Sequence, residues 1–251
     1  APLKGVITGF GAGIVQDTCM KPENDRMSKS KGFELSHVQF SVRGRSILKD
    51  ISMDIYQGER LLLLGENGCG KTTLMRMIAG LLKATDGTIV QHIDEHIGQR
   101  PKGTKEWFKQ VGVVYQDPNY QLFMPSVREE VAYGAKSMAF AEKIMDMFGI
   151  RHLENRHPHS LSEGQKRRVS IAAVAVTQPK VLLLDEPTVG QDYEGLKALV
   201  NVLNQLHAET GNTMITVTHD MRCAQALCDR AVLIEDGKIA AEGGKDFVMR
   251  Y

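Results

Sequence analysis

The sequence predicts an α/β fold in which parallel strands alternate with helices, an antiparallel strand pair comes first, and a helical segment interrupts the alternation. Three observations carry this expectation. Residues 60–72, R-L-L-L-L-G-E-N-G-C-G-K-T, run an apolar strand through a glycine-rich turn into a helix. Residues 181–186, V-L-L-L-D-E, are apolar over four consecutive positions, as in a strand covered on both faces. Strands and helices otherwise alternate, the pattern of a parallel sheet, except between 116 and 161, where the run is mainly helical.

Taken in order, residues 1–26 are glycine-rich and 21–31 (K-P-E-N-D-R-M-S-K-S-K, with Met27 inside) have linker composition. Residues 1–32 are therefore expected to be an extension and linker, and no role is assigned to them. Residues 33–42 and 47–55 alternate apolar and polar positions on either side of Arg43-Gly44-Arg45, which predicts two antiparallel strands. A strand over 60–64, a helix over 71–82 and a strand over 111–115 follow. Residues 125–149 read as mainly helical, with Phe140, Ile144, Met145 and Phe148 on one apolar face. A helix over 162–176, a strand over 181–184, a helix over 194–209, a strand over 213–218 and a hairpin over 231–239 around Asp236-Gly237 complete the expectation.

Composition limits the function classes. The 251 residues carry 31 Lys+Arg against 30 Asp+Glu, a net charge of +1, which speaks against a protein that coats nucleic acid. With 42% hydrophobic and 24% charged residues, the chain has the material for a globular core and fits neither a collagen-like nor a disordered class. Cys19, Cys69, Cys223 and Cys228 are too few and too irregularly spaced for a disulfide framework or a four-ligand zinc site, and read as free thiols. No run approaches the roughly 18 apolar residues of a membrane-spanning helix; residues 6–15 come nearest and are broken by Gly9, Gly11 and Gly13. Membrane work would need a partner to supply the membrane part.

Residues 65–72, Gly65-Glu66-Asn67-Gly68-Cys69-Gly70-Lys71-Thr72, fit the phosphate-binding loop G-x-x-x-x-G-K-[S/T] at every fixed position. Glycines let backbone N–H groups turn toward phosphate oxygens, and the following helix adds its positive end. Lys71 is expected to reach the β- and γ-phosphates, and Thr72 to hold Mg²⁺. Asp185 and Glu186 follow a buried strand, at the end where α/β sheets bind ligands. Asp185 is expected to hold the metal and Glu186 to orient or deprotonate the attacking water. Leu161-Ser162-Glu163-Gly164-Gln165 has capping-box spacing and predicts a helix start.

Together these motifs resemble the ATP-binding cassette (ABC) family over 33–251. Leu161 to Gln165 is similar to that family's signature motif, with Glu163 where a second glycine is common. Gln116 matches its Q-loop, Asp192 its D-loop, and His219, after the strand 213–218, its switch histidine. The resemblance implies a P-loop NTPase (RecA-like) core with an antiparallel β subdomain and an inserted helical subdomain. The core would span 33–116 and 166–251, and the signature-bearing subdomain 117–165. It implies ATP and Mg²⁺ as cofactors, with Glu186, His219 and Gln116 catalytic. Gly65, Asn67, Gly68, Cys69, Gly70, Lys71, Thr72 and Thr73 would bind the chain's own nucleotide, and Thr72, Gln116 and Asp185 the metal. Ser162, Gly164, Gln165 and Asp192 would act on nucleotide shared with a second cassette, so a homodimer or heterodimer is expected. Two positions depart from the family: Val42 stands where an aromatic residue usually stacks adenine, and Cys69 where serine is common in the phosphate loop. The positive helix end should favour the Cys69 thiolate.

Residues 117–123, D-P-N-Y-Q-L-F, and 188–192, T-V-G-Q-D, are similar to the ATPases of energy-coupling-factor importers. That likeness implies uptake of a transition-metal ion or vitamin at the cytoplasmic face of the cell membrane. The partners would be a membrane scaffold and a separate substrate-binding membrane protein, with no nucleic acid. Tyr120, Leu122 and Phe123 would either dock the scaffold or pack the insert. Soluble cassette ATPases of assembly or repair complexes are the alternative, although no heptad run suggests a repair coiled coil and only one motif set is present. A small-molecule kinase or GTPase would not need residues 161–165. His92, His96, His152, His157 and His159 read as surface residues, since two neighbouring imidazoles do not close a metal site.

Overall fold

The strands that lack a polar break lie side by side at one end of the sheet. The computed structural model describes residues 30–92, 98–99, 105–219 and 221–248. Residues 1–29, with the 6–15 run, Cys19 and Met27, lie outside the described residues, as do His96 and the side chain of Cys223. The first half of the chain forms β1 (Lys31–Val42), β2 (Arg45–Tyr56), β3 (Arg60–Leu64), α1 (Lys71–Ile78), β4 (Asp86–Gln91), β5 (Gly98–Gln99), α2 (Lys105–Gln110) and β6 (Val111–Val114). The second half forms α3 (Val127–Ala132), α4 (Met138–Met147), α5 (Glu163–Ala175), β7 (Val181–Asp185), α6 (Tyr193–Thr210), β8 (Thr213–Val217), α7 (Met221–Leu227), β9 (Arg230–Glu235), β10 (Lys238–Gly244) and α8 (Lys245–Val248). Among the described residues the strands join in the order β5-β4-β1-β2-β10-β9-β3-β8-β7-β6.

β1 and β2 pair antiparallel, Phe33 opposite Ile55 and Leu35 opposite Met53, with β4 antiparallel on the other side of β1. β9, β3, β8, β7 and β6 run parallel. β10 turns back on β9 and meets β2 through the pair Lys238–Asp50. Side-chain alternation then fills both faces. Val181 and Leu183 of β7 enter the cluster with α1 and the β1–β2 pair, while Leu182 and Leu184 enter the cluster with α3, α4, α5 and α6. In β3, Leu61 and Leu63 join the first group, and Leu62 and Leu64 pack with Ala224, Cys228 and Val248. Truncating any of these buried leucines to alanine would cost about 2–5 kcal/mol. That two-faced burial is why the parallel strands read as unbroken apolar runs.

Several boundaries differ from expectation. β1 starts at Lys31, inside the expected linker. α1 stops at Ile78, because the chain turns at Gly80 with φ 85°. The mainly helical stretch over 125–149 forms as expected, as two helices, each N-capped by a serine, Ser126 on Glu129 N and Ser137 on Phe140 N. Gly134 lies between them, where a Cβ would stand 2.6 Å from Thr177 Cγ2 at the end of α5. The apolar face of α4 forms as expected, with Ile144, Met145 and Phe148 buried and Phe140 half-buried against them. No helix among the described residues is long and apolar enough to cross a membrane.

Candidate functional site

The parallel strands β3, β6, β7 and β8 point their C-terminal ends to one edge, and the loops leaving them meet there. β3 feeds the glycine-rich loop. Gly65 has φ 139°, and a Cβ there would overlap the Ile234 carbonyl oxygen of β9. Gly70 has φ 108° at the N-cap of α1, and a Cβ would lie 2.5 Å from Leu48 Cδ2. No side chain caps the first amides of α1, so the loop presents bare N–H groups and the positive helix end. Lys71 is buried, and its Nζ donates to the Gly65 and Glu66 carbonyls at 2.7 Å each and lies 3.7 Å from Cys69 Sγ. This arrangement suits polyphosphate.

Asp185 ends β7 with 2% exposure, and Thr72 Oγ1 donates to its Oδ1 at 3.2 Å. Burial raises the Asp185 pKa above the usual carboxylate value; the Thr72 hydrogen bond opposes the shift and the Glu186 charge adds to it. A buried hydroxyl–carboxylate pair is a hard-oxygen donor set and fits Mg²⁺. Glu186 follows with φ 50°, a left-handed conformation that costs a non-glycine residue about 1–3 kcal/mol. Its amide donates to Val217 O at 2.8 Å, which pins the turn to the end of β8. The buried Thr188 and Thr218 hydroxyls, 3.1 Å apart, fasten the same two segments. His219, 66% exposed, places Nδ1 2.9 Å from Glu186 Oε1.

A cavity of about 620 Å³ opens at this edge. Asn67, Gly68, Cys69, Gly70, Lys71, Thr72, Thr73, Gln116, Asp185 and Glu186 line it. Gly65 lies beneath the loop, and His219 meets the cavity through Glu186. Val42 is exposed and does not line the cavity; Arg45, Ser46, Ile47, Val217, Asp236 and Gly237 complete its lining. Among the described residues no group of three or more His, Cys, Asp or Glu side chains could hold a metal ion by itself.

Ser162, Gly164, Gln165 and Asp192 are not among the residues that line this cavity. Ser162 caps α5 with both halves of the capping box formed: Gln165 N donates to Ser162 Oγ at 3.4 Å, and Ser162 N donates to Gln165 Oε1 at 3.1 Å. Asp192 caps α6 through Gly195 N at 2.7 Å. Two residues at the site escaped sequence reasoning. Arg167, in α5, is buried and donates from Nη1 to Tyr115 O at 2.8 Å and from Nη2 to Gln116 O. Gln191 donates from Nε2 to Gly164 O at 2.8 Å.

The family model described as ABC transporter matches residues 48–189, more than half of the chain. The chain belongs to the ABC transporter family. It is an ATP-binding, ATP-hydrolysing transporter subunit. Energy-coupling factor transporter ATP-binding protein EcfA2 of Clostridium perfringens is 38% identical over 208 residues, which cover 80% of this chain and 73% of that protein. The solved structure of cbiO1 from Clostridium perfringens, described as part of the ABC transporter complex cbiONQ, has a TM-score of 0.77 at 34% identity and covers 88% of this chain and 92% of that one. The ATP-binding cassette MJ0796, solved as a dimer in a post-hydrolysis state with ADP and Pi, has a TM-score of 0.73 at 26% identity, covering 85% and 98%. These likenesses support transport over the alternative of a soluble assembly or repair ATPase.

Proposed function

We propose that this ABC ATPase powers a micronutrient importer of the energy-coupling-factor type, taking up a transition-metal ion or a vitamin, from the cytoplasmic face of the membrane. In this reading residues 33–116 and 166–251 form the nucleotide-binding core and 117–165 the signature-bearing subdomain. The observation that carries the mechanism is the separation of two surfaces. The phosphate loop, Thr72–Asp185 and Glu186 share one cavity, while Ser162, Gly164, Gln165 and Asp192 lie outside it. A second cassette, identical or homologous, brings its signature edge to this chain's cavity and receives this chain's edge in return.

Within the cavity the amides of 67–73 and the Lys71 ammonium bind the β- and γ-phosphates of ATP. Thr72 and Asp185, with Gln116 in the same cavity, would hold Mg²⁺, which would supply Lewis-acid stabilisation of charge on the phosphate oxygens. Glu186 orients the attacking water and accepts its proton, and His219 stands against Glu186. ATP and ADP differ in their contacts with these groups, so hydrolysis shifts the cassette pair between closed and open populations.

Tyr120 and Phe123, 79% and 68% exposed, support a docking surface for a membrane scaffold. Leu122 is 1% exposed and packs the insert. A mild-detergent pull-down of the tagged protein from native membranes tests the reading. Recovery of a multi-spanning scaffold with a small membrane protein supports it and identifies the substrate class; recovery of soluble partners alone overturns it.

A further inference from the structure

We propose that the first two turns of α5 form a strut that carries the state of this chain's own nucleotide to its signature edge, with Arg167 and Gln191 as the positioning residues at its two ends. The proposal rests on the reading above, in which that edge acts at a second cassette.

Arg167 is 3% exposed and its guanidinium spans two consecutive carbonyls, Tyr115 and Gln116, where β6 leaves the sheet and Gln116 reaches the cavity. A planar fork of donors can hold two neighbouring carbonyls at once, which a lysine ammonium does less rigidly. Burial lowers the Arg167 pKa, opposed by the charges of Glu163, Asp117, Asp185 and Glu186, which places the cation among the acids of the site. Through Gln116 it is tied directly to the wall of the cavity.

Gln191 holds the same helix from the opposite side. Its Nε2 donates to Gly164 O, while its backbone N–H donates to Thr188 O in the segment that follows Glu186. The contact is close-packed: a Cβ on Gly164 would lie 2.6 Å from Gly190 O, and Gly190 needs φ 79°. Gly164 and Arg167 are one helical turn apart, so a shift at Gln116 or behind Glu186 moves α5 as a rigid piece.

The test uses the full chain with Gln191→Met, which keeps shape but removes the donor, Arg167→Gln, and Arg167→Lys as the conservative variant. Two readouts are taken. Hydrogen exchange of the 163–167 amides is followed with and without ATP in the Glu186→Gln background, at protein concentrations where the chain is monomeric. ATPase kcat and KM are measured alongside on the same variants with Glu186 in place. ATP is expected to slow exchange at 163–167 in the parent and not in Gln191→Met or Arg167→Gln. In these two variants kcat should fall about tenfold, the worth of one hydrogen bond to a charged or strained site, while KM stays within about twofold. Arg167→Lys should recover part of both. An ATP response that is absent in the parent overturns the strut, as does one that persists in both variants, or a loss of kcat and Tm together with the response intact. Failure of the Glu186→Gln protein to dimerise at high concentration would refute the two-cassette reading instead, since the exchange response is measured on the monomer.

Discussion

His219 holds Glu186 from two directions: its ring Nδ1 lies 2.9 Å from Oε1, and its backbone N–H donates to Oε2 at 3.3 Å. The carboxylate is thereby fixed on a left-handed residue at the end of β7, with its amide spent on Val217. Replacing Glu186 by Gln keeps the side chain's shape and removes the base. Glu186→Gln is expected to bind ATP, lose hydrolysis by at least about 100-fold and accumulate as an ATP-bound dimer. Light scattering at saturating ATP checks this, and a persistent monomer would sink the two-cassette mechanism.

Asp185 offers a stability trade-off. Its folded pKa is raised, so its ionisation opposes folding; the associated stability is present below the unfolded pKa of about 4 and is lost as pH rises through the folded value. Asparagine can still accept from Thr72 and carries no charge. Without nucleotide, Asp185→Asn should melt at or above the parent at pH 7, by about 2 °C or more, with the gap closing toward pH 4. The same variant should lose ATP hydrolysis by about 100-fold or more. Thermal scans across that range decide it, and a lower Tm for the variant at pH 7 would refute the electrostatic account.

Arg60 and Asp229 behave in the opposite sense. Burial pushes the Asp229 pKa up, but the Arg60 side-chain and backbone hydrogen bonds, at 2.6 Å and 3.1 Å, bring it below the usual value. Stability from a depressed carboxylate is present above its unfolded pKa of about 4 and vanishes as pH falls through the folded one. Asp229→Asn should therefore lower Tm at pH 7 and lower it less at pH 3. Equal deficits at both pH values would show that packing at the start of β9, and not charge, is responsible.

Cys69 lines the cavity with its Sγ 3.7 Å from Lys71 Nζ. A maleimide adduct there would occupy phosphate space. Alkylation is expected to abolish ATPase activity, bound ATP to protect, and Cys69→Ser to be resistant. Cys228 is a poor competitor for the reagent: it is buried, and desolvation, with the Asp229 charge, pushes its thiol to about 11. Full activity after stoichiometric labelling of Cys69, mapped by mass, would count against this placement of the thiol.

What the sequence made legible follows from how local each signal is. The loop 65–72 and the strand 181–185 are read directly, because glycine conformations and two-faced burial leave marks at neighbouring positions. β4 was missed because it lies near the end of the sheet, between β1 and the two-residue β5, and is exposed over Asp86, Gly87 and Thr88, so it has no apolar run to find. α2 was missed because its anchor is tertiary: Trp107 donates to Ala79 O at 2.9 Å and meets Phe33 edge-on, partners far away in sequence. In K-R-R at 166–168 successive side chains point about 100° apart around the helix, and nothing in the letters says that Arg167 is the one turned inward. Gln191 is likewise distinguished only by the carbonyl it meets.

The order of strands in the sheet also sets the order in which activity can appear during synthesis. β3, which launches the phosphate loop, is flanked by β8 and β9, made about 150 and 165 residues later. At about 5–20 residues per second, the nascent loop waits roughly 7 to 30 seconds or more for the strands that hold it. Gly65 is packed against Ile234 of the last of these. A ribosome stalled before residue 213 would therefore display a recognisable phosphate-loop sequence on a chain unable to retain nucleotide, and ATP capture would switch on late and abruptly.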